Sequence, residues 1–299
     1  MNAPPWPHQP TVEWQICGVC NYDCAYCIQS RAHRQGQPDL AAIDGMIAFM
    51  ATLPGRWEIK MTGGEPFASR HFLDHLLPEL LARTPHMVSL LTNLSTGPAA
   101  MDRFARLTRG RLGIVSASLH LDFTGVEAFV ARLARLREAA GPGVHFVVNS
   151  VLSPDRLPAI AAAKEIVEAA GFRFYPQLMK VKGGVFPYTA GQRAAMETIF
   201  GDWNAAEAER LANFAPSYMG RRCWAGARYV VLTQTGEAWS CRTAKRHGQG
   251  RLGRVLDNGI SLRGEPLVCP YPICPCSVPA NRGMIEGVPT RLSETGVDP

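Results

Sequence analysis

The chain is 299 residues long, 46% hydrophobic and 19% charged, with a formal net charge of +6. Such a length fits one large core, or one α/β barrel with a smaller appendage, and the balance excludes a disordered or collagen-like chain. No run reaches the roughly 18 apolar residues of a membrane span, and Met1 to Pro10 lacks the basic start and apolar stretch of a secretion signal, so a cytoplasmic protein with no membrane partner is expected.

Taken in order, Val12 to Ile16 alternates apolar and polar as a strand does and turns at Cys17 into a thiol-rich loop. Asp39 to Leu53 has helical spacing and stops at Pro54-Gly55. The strand, loop, helix unit then recurs. Strands are expected over Trp57 to Met61, Met87 to Leu91, Gly113 to Leu119, Val144 to Val151 and Phe172 to Leu178, with helices near Arg70 to Arg83, Pro98 to Thr108, Gly125 to Ala139 and Asp155 to Ala170. Six such units predict a parallel sheet with right-handed crossovers, able to curl into a partial barrel. The prolines of residues 1 to 11 mark an extended tail, or a strap across the barrel mouth. After Met179 the pattern changes: Lys182 to Pro187 reads as a loop, and Thr189 to Phe200 and Asn204 to Phe214 as helices. A boundary near residue 215 then leads to a loop-rich unit in which Arg228 to Thr233 and Glu237 to Ser240 flank a hairpin turn. The expected organisation is a tail over 1–11, a barrel over 12–214 and a small C-terminal unit over 215–299.

Nine cysteines are many for a protein in a reducing compartment, where clustered thiols point to metal or redox chemistry rather than disulfides. Three of them, Cys20, Cys24 and Cys27, fall on the loop after the first strand. Three thiolates leave one position of a tetrahedral or cubane site open. A zinc site is the competing reading and would need a fourth ligand such as Cys17, which otherwise sits as a bystander at the strand end. In barrels the chemistry sits on the loops after the strands, and those loops carry Gly63-Gly64-Glu65-Pro66, Thr92-Asn93, Ser118 with His120, and Gln177. The glycines alone read equally as a plain turn, and Asn93, Ser118 and His120 as structural strand-end residues.

The thiol spacing, with Tyr26 just before the last Cys, resembles the signature of the radical S-adenosylmethionine superfamily, and Gly63 to Pro66 resembles its second motif. The resemblance covers about residues 12 to 180. It implies a partial (β/α)6, TIM-like barrel in which Cys20, Cys24 and Cys27 hold a [4Fe-4S] cluster whose open iron binds S-adenosylmethionine. It further implies that Tyr26, Gly63, Gly64, Glu65, Pro66, Asn93, Ser118 and Gln177 meet that cofactor. Cleavage by one electron from an external flavodoxin- or ferredoxin-type donor would give a 5′-deoxyadenosyl radical that abstracts a substrate hydrogen.

Cys223, Cys241, Cys269, Cys274 and Cys276 form a second constellation. The opening, Cys223 then Gly236 then Cys241, resembles the auxiliary-cluster extensions called SPASM and Twitch. Five thiols rather than the seven of SPASM imply a Twitch-like unit with one auxiliary [4Fe-4S] cluster and one spare thiol, against a structural zinc knot. An auxiliary cluster suits a net oxidation, with a ribosomal peptide as the leading substrate class and dehydrogenation of a small polar metabolite as the second. About a dozen residues before the first strand leave no room for a fused leader-binding domain, so a separate leader-peptide-binding protein is expected. Epimerisation, with Cys17 or Cys276 returning a hydrogen atom, is a third outcome. A non-catalytic iron-sulfur or zinc-bound interaction module is the competing class. The basic stretch Arg242 to Arg254 lacks interleaved aromatics and reads as a solvated loop or a face for an acidic substrate, not a nucleic-acid site.

Overall fold

The computed structural model describes residues 3–181, 184–201, 214–257 and 259–288. Six parallel strands form its centre: β1 (Thr11–Cys17), β2 (Glu58–Gly63), β3 (Met87–Thr92), β4 (Leu112–Ser118), β5 (His145–Leu152) and β6 (Arg173–Leu178). Each hydrogen-bonds to the next in sequence, the order of an opened (β/α)6 barrel.

Helices cover the outside. α1 (Leu40–Ala51) starts at Asp39, whose carboxylate accepts the Ala42 amide at 2.6 Å, and buries Ile43, Met46, Ile47 and Met50 on one stripe. α2 (Leu77–Arg83) follows a wider turn over Phe72–Leu76, so the helix expected from Arg70 is π-wound in its first half. α3 (Pro98–Leu107) has proline in its first turn, where no amide donor is lost. α4 (Val126–Ala140) and α5 (Leu157–Ala169) complete the layer, and α6 (Ala190–Phe200) opens on a Thr189–Gln192 capping box. A short pair, β7 (Lys180–Val181) and β8 (Gly184–Val185), lies between β6 and α6. The helix expected over Asn204 to Phe214 lies almost wholly outside the described residues.

The sheet does not stop at β1. β10 (Tyr229–Leu232) pairs in parallel with β1, Thr11 opposite Tyr229 and Trp14 opposite Leu232. β11 (Glu237–Trp239), β12 (Arg251–Arg254) and β13 (Gly259–Ile260) then continue antiparallel, giving ten strands in the order β13-β12-β11-β10-β1-β2-β3-β4-β5-β6. The predicted hairpin is therefore part of the barrel sheet rather than of a free-standing unit. The rest of the C-terminal region is stapled by β9 (Arg222–Cys223) against β14 (Leu267–Val268), with α7 (Arg242–Arg246) and α8 (Val278–Asn281) between loops.

The tail also differs from a strap across the mouth. The Gln9 amide donates to Arg282 O at 3.0 Å and the Trp6 indole to Gly283 O at 2.9 Å, so the tail lies at the opposite end, where β1 begins.

The polar positions of β1 and β2 do not face water. All seven residues of β1 are buried; Val12, Trp14 and Ile16 join the core under the helices, while Glu13 points into the barrel with Lys60 of β2. The alternation seen in the sequence is that of a barrel wall with a charged interior.

Candidate functional site

A cavity of about 430 Å³ opens at the C-terminal ends of the strands and runs into the barrel. Cys20, Cys24 and Cys27 all line it, as do Tyr26, Gly63, Gly64, Glu65, Asn93, Ser118 and Gln177. Pro66 does not; it is buried as the first residue of a short helical turn, Pro66–Ala68.

The thiol loop is held by backbone. The Gly64 amide donates to Cys17 O at 2.9 Å and the Glu65 amide to Val19 O at 2.8 Å, which docks the turn after β2 onto the loop after β1. A Cβ on Gly63, whose φ is +150°, would stand 2.2 Å from Cys17 O, and one on Gly64 only 1.9 Å from Val19 O. Both glycines are thus required by the approach of two backbones. Gln29 locks the same turn by donating to Gly63 O at 2.6 Å.

Glu65 is buried, and its carboxylate accepts from the Thr92 hydroxyl at 2.7 Å, the Asn93 amide at 2.7 Å and the Phe67 amide at 3.3 Å. It ties β2 to the end of β3. Burial pushes its carboxyl up to about 7 despite those three donors. Asn93 in turn donates to Asn21 Oδ1 at 3.0 Å, reaching back to the thiol loop. Gln177 donates to Asn149 Oδ1 at 3.1 Å, and the Asn149 amide nitrogen, buried on the cavity wall, has no protein partner.

Tyr26 and His120 form a pair over Cys24. The tyrosine oxygen lies 2.9 Å from His120 Nδ1, and Cys24 Sγ lies 3.5 Å from the same nitrogen. Burial holds the imidazole down at about 4, so it is neutral and Nδ1 can accept from the phenol. Burial also raises the thiols of Cys20 and Cys24, the latter to about 11. They ionise at neutral pH when a metal displaces the proton.

Cys17 is fully buried in the core, its Sγ 3.6 Å from Val19 O and 3.5 Å from Glu65 O, and it does not line the cavity. A bystander role fits; a fourth ligand or a hydrogen-donating thiol does not. Among the described residues, no three His, Cys, Asp or Glu side chains converge on one metal-ion position. Thiolates of an iron-sulfur cluster each bond a separate iron and stand wider apart than ligands of a single ion. The donor set, sulfur only and on one wall, fits such a cluster.

The C-terminal cysteines gather together. Cys223 on β9 is an electrostatic neighbour of Cys241, at the start of α7, and of Cys269, just after β14; Cys274 neighbours Cys223 and Cys241, and Cys276 acts on both Cys241 and Cys274. The Ala244 amide donates to Cys241 Sγ at 3.2 Å. Of the five, only Cys276 lines the barrel cavity, with its Sγ 3.7 Å from Glu13 Oε2 and 3.9 Å from the Tyr229 hydroxyl.

Residues not singled out in the sequence complete the interior. Arg242 donates from Nε and Nη2 to Glu13 Oε1 at 2.9 and 2.6 Å, and Tyr229 also hydrogen-bonds to Glu13. Burial opposes the charge on Glu13, yet Arg242 and Lys60 hold its carboxyl down at about 2. Deeper, Arg282 grips Glu58 through two bonds of 2.5 and 2.9 Å. The signal available was the polar residue at every second position of β1 and β2, which a barrel turns inward.

Residues 14–139 match the family described as the Radical SAM superfamily, a stretch that contains both motifs. Among solved structures, anSMEcpe with bound AdoMet is similar at 14% identity over 85% of this chain and 79% of that one, with a TM-score of 0.58. The same protein with AdoMet and the Cp18Cys peptide gives 14%, 84%, 79% and 0.57. SuiB of Streptococcus suis gives 15% over 84% of this chain but 64% of its own length, with a TM-score of 0.58. At such identities the likeness is one of fold. No curated protein sequence matches the chain. The matched segment takes in both motifs, and the solved structures share the partial-barrel fold.

Proposed function

We propose that the protein is a radical S-adenosylmethionine enzyme that abstracts a hydrogen atom from its substrate. The observation that carries this reading is the convergence of Cys20, Cys24 and Cys27 with Gly63, Gly64 and Glu65 on one cavity. When bound there, a [4Fe-4S] cluster with S-adenosylmethionine supplies a 5′-deoxyadenosyl radical on receipt of one electron. The three thiolates hold the cluster. The turn at Gly63 to Glu65 fixes the loop that carries them, Glu65 sets the β3 end, and Asn93, Ser118 and Gln177 offer polar groups around the cofactor space. The cavity volume suits a nucleotide-sized ligand plus the reacting part of a substrate.

Cys223, Cys241, Cys269 and Cys274 are the proposed ligands of an auxiliary [4Fe-4S] cluster, which supports an oxidoreductase-type reaction; Cys276 stays a free thiol on the cavity wall. The substrate reading is peptide modification. It is supported by the fold shared with structures described as holding the Cp18Cys peptide and, for SuiB, the precursor peptide SuiA. A flavodoxin- or ferredoxin-type donor and a separate leader-binding protein belong to the same proposal, as does a cytoplasmic setting. No described helix is long and apolar enough to cross a membrane.

The test is anaerobic. Reconstituted protein is mixed with dithionite and S-adenosylmethionine, and 5′-deoxyadenosine is measured; Cys24→Ala is expected to abolish it. A reconstituted wild type that makes none sinks the reading. Iron content tests the second site: Cys274→Ser should lose about four irons per chain while Cys276→Ser loses none.

A further inference from the structure

The cavity holds more positive charge than its own carboxylates neutralise. Arg34 pairs with Asp23 at 2.6 Å and Arg282 with Glu58 at 2.5 Å. Glu13 is shared between Arg242, at 2.6 Å, and its electrostatic neighbour Lys60. Lys180, just beyond β6, and Arg246, on α7, have no carboxylate partner among the described residues, yet both line the cavity and act on each other and on Arg242.

Arg242 is held in a fixed pose for a ligand. Its Nε and Nη2 are spent on Glu13 Oε1, and Glu13 is itself held by Tyr229, which leaves the Nη1 edge of the guanidinium for another acceptor. Three like charges facing one space repel, and burial disfavours the charged form of the Lys180 ammonium. An anion entering between them relieves both costs.

We propose that Lys180, Arg242 and Arg246 form an anion subsite that binds a carboxylate or phosphate group of the substrate within the barrel cavity. This rests on that cavity being the substrate site of the function proposed above. It narrows the substrate class to molecules with an oxyanion near the reacting carbon: an acidic side chain or terminal carboxylate of a peptide, or an acidic or phosphorylated metabolite. The chain joins the two walls of the opened barrel here, since Lys180 follows β6 and Arg246 follows β11, so the anion would bridge the gap that the six-stranded arc leaves.

The experiment is calorimetric titration of the full, reconstituted chain with glutarate and with pyrophosphate at constant ionic strength. Wild type, Lys180→Gln, Arg246→Gln, the double variant and a remote control, Arg135→Gln, are compared, with thermal unfolding checked for each. Saturable binding to the wild type is expected, weakened about tenfold by each single variant and lost in the double variant, with the control unchanged. Glutarate against pyrophosphate distinguishes a carboxylate from a phosphate site. Equal binding by the double variant, or none by the wild type, overturns the subsite. Competition by S-adenosylmethionine also overturns it, because the cations would then serve the cofactor carboxylate. So does an unchanged affinity with a shifted auxiliary-cluster potential, which would assign them to the cluster. Formation of 5′-deoxyadenosine, measured in parallel, reports separately on the radical reading.

Discussion

Replacing Arg282 by methionine removes the guanidinium that Glu58 meets through two bonds of 2.5 and 2.9 Å at the base of the barrel. Glu58 is fully buried and the Arg282 side chain is 6% exposed, so neither charge is screened by water. Removing one partner of such a pair costs about 3 to 5 kcal/mol, because the other charge is left in a low-dielectric interior. Burial alone raises the Glu58 carboxyl, and Arg282 is the main influence that brings it below its usual value. Without Arg282 the carboxyl rises and takes up a proton on folding. The sign follows: the variant loses stability as pH increases, and its deficit is smaller at pH 5 than at pH 8. The Arg282→Met, Glu58→Gln double variant leaves no orphaned charge and should recover part of the loss, with a coupling of about 2 kcal/mol in a double-mutant cycle. Urea unfolding followed by circular dichroism at the two pH values measures each quantity. A single-variant loss below about 1 kcal/mol with no pH dependence, or strictly additive losses, would refute the reasoning.

Two further outcomes follow from the site. Gly64→Ala sets a Cβ 1.9 Å from Val19 O, so the thiol loop must leave the turn after β2; reconstituted iron should fall by about four per chain and cofactor binding should be lost, whereas Gly191→Ala, on α6 and in open space, leaves iron content unchanged. Glu13→Gln should flatten the acid limb of stability. Its carboxyl ionises at about 2 against a reference of 4.5, so its contribution, about 3 kcal/mol, is complete above pH 4.5 and drains away as pH falls toward 2. Thermal midpoints between pH 6 and 3 that decline as steeply in the variant as in the wild type would count against that assignment.

The six strand-helix units were legible because each is encoded locally, by alternation over five to eight residues and helical stripes such as Ile43, Met46, Ile47 and Met50. The paired motifs were legible because thiols and glycines have few other reasons to stand at that spacing. Why Gly63 and Gly64 must be glycine was not: the approach is to Cys17 O and Val19 O, forty-odd residues away in sequence. The pairing of β10 with β1 was equally invisible, since edge-to-edge register between strands separated by about two hundred residues leaves no local trace. The same holds for the charged interior. Alternation marks Glu13 and Lys60 as polar positions of two strands, and only the curl of the sheet decides that their face turns inward.

The addition of β10 to β1 brings the C-terminal cysteines up against the barrel interior. It sets Tyr229 against Glu13, and the hairpin then delivers Cys241 to the start of α7, where its sulfur accepts an amide from the same helix. The next residue, Arg242, turns the other way and grips Glu13 inside the barrel. A proposed cluster ligand and a proposed substrate-binding cation are therefore one peptide bond apart, on a helix too short to bend between them. Cys274 and Cys276 repeat the arrangement two residues apart, one a proposed cluster ligand and the other on the cavity wall. Two short segments thus set a proposed auxiliary-cluster thiol beside a group that faces the barrel interior.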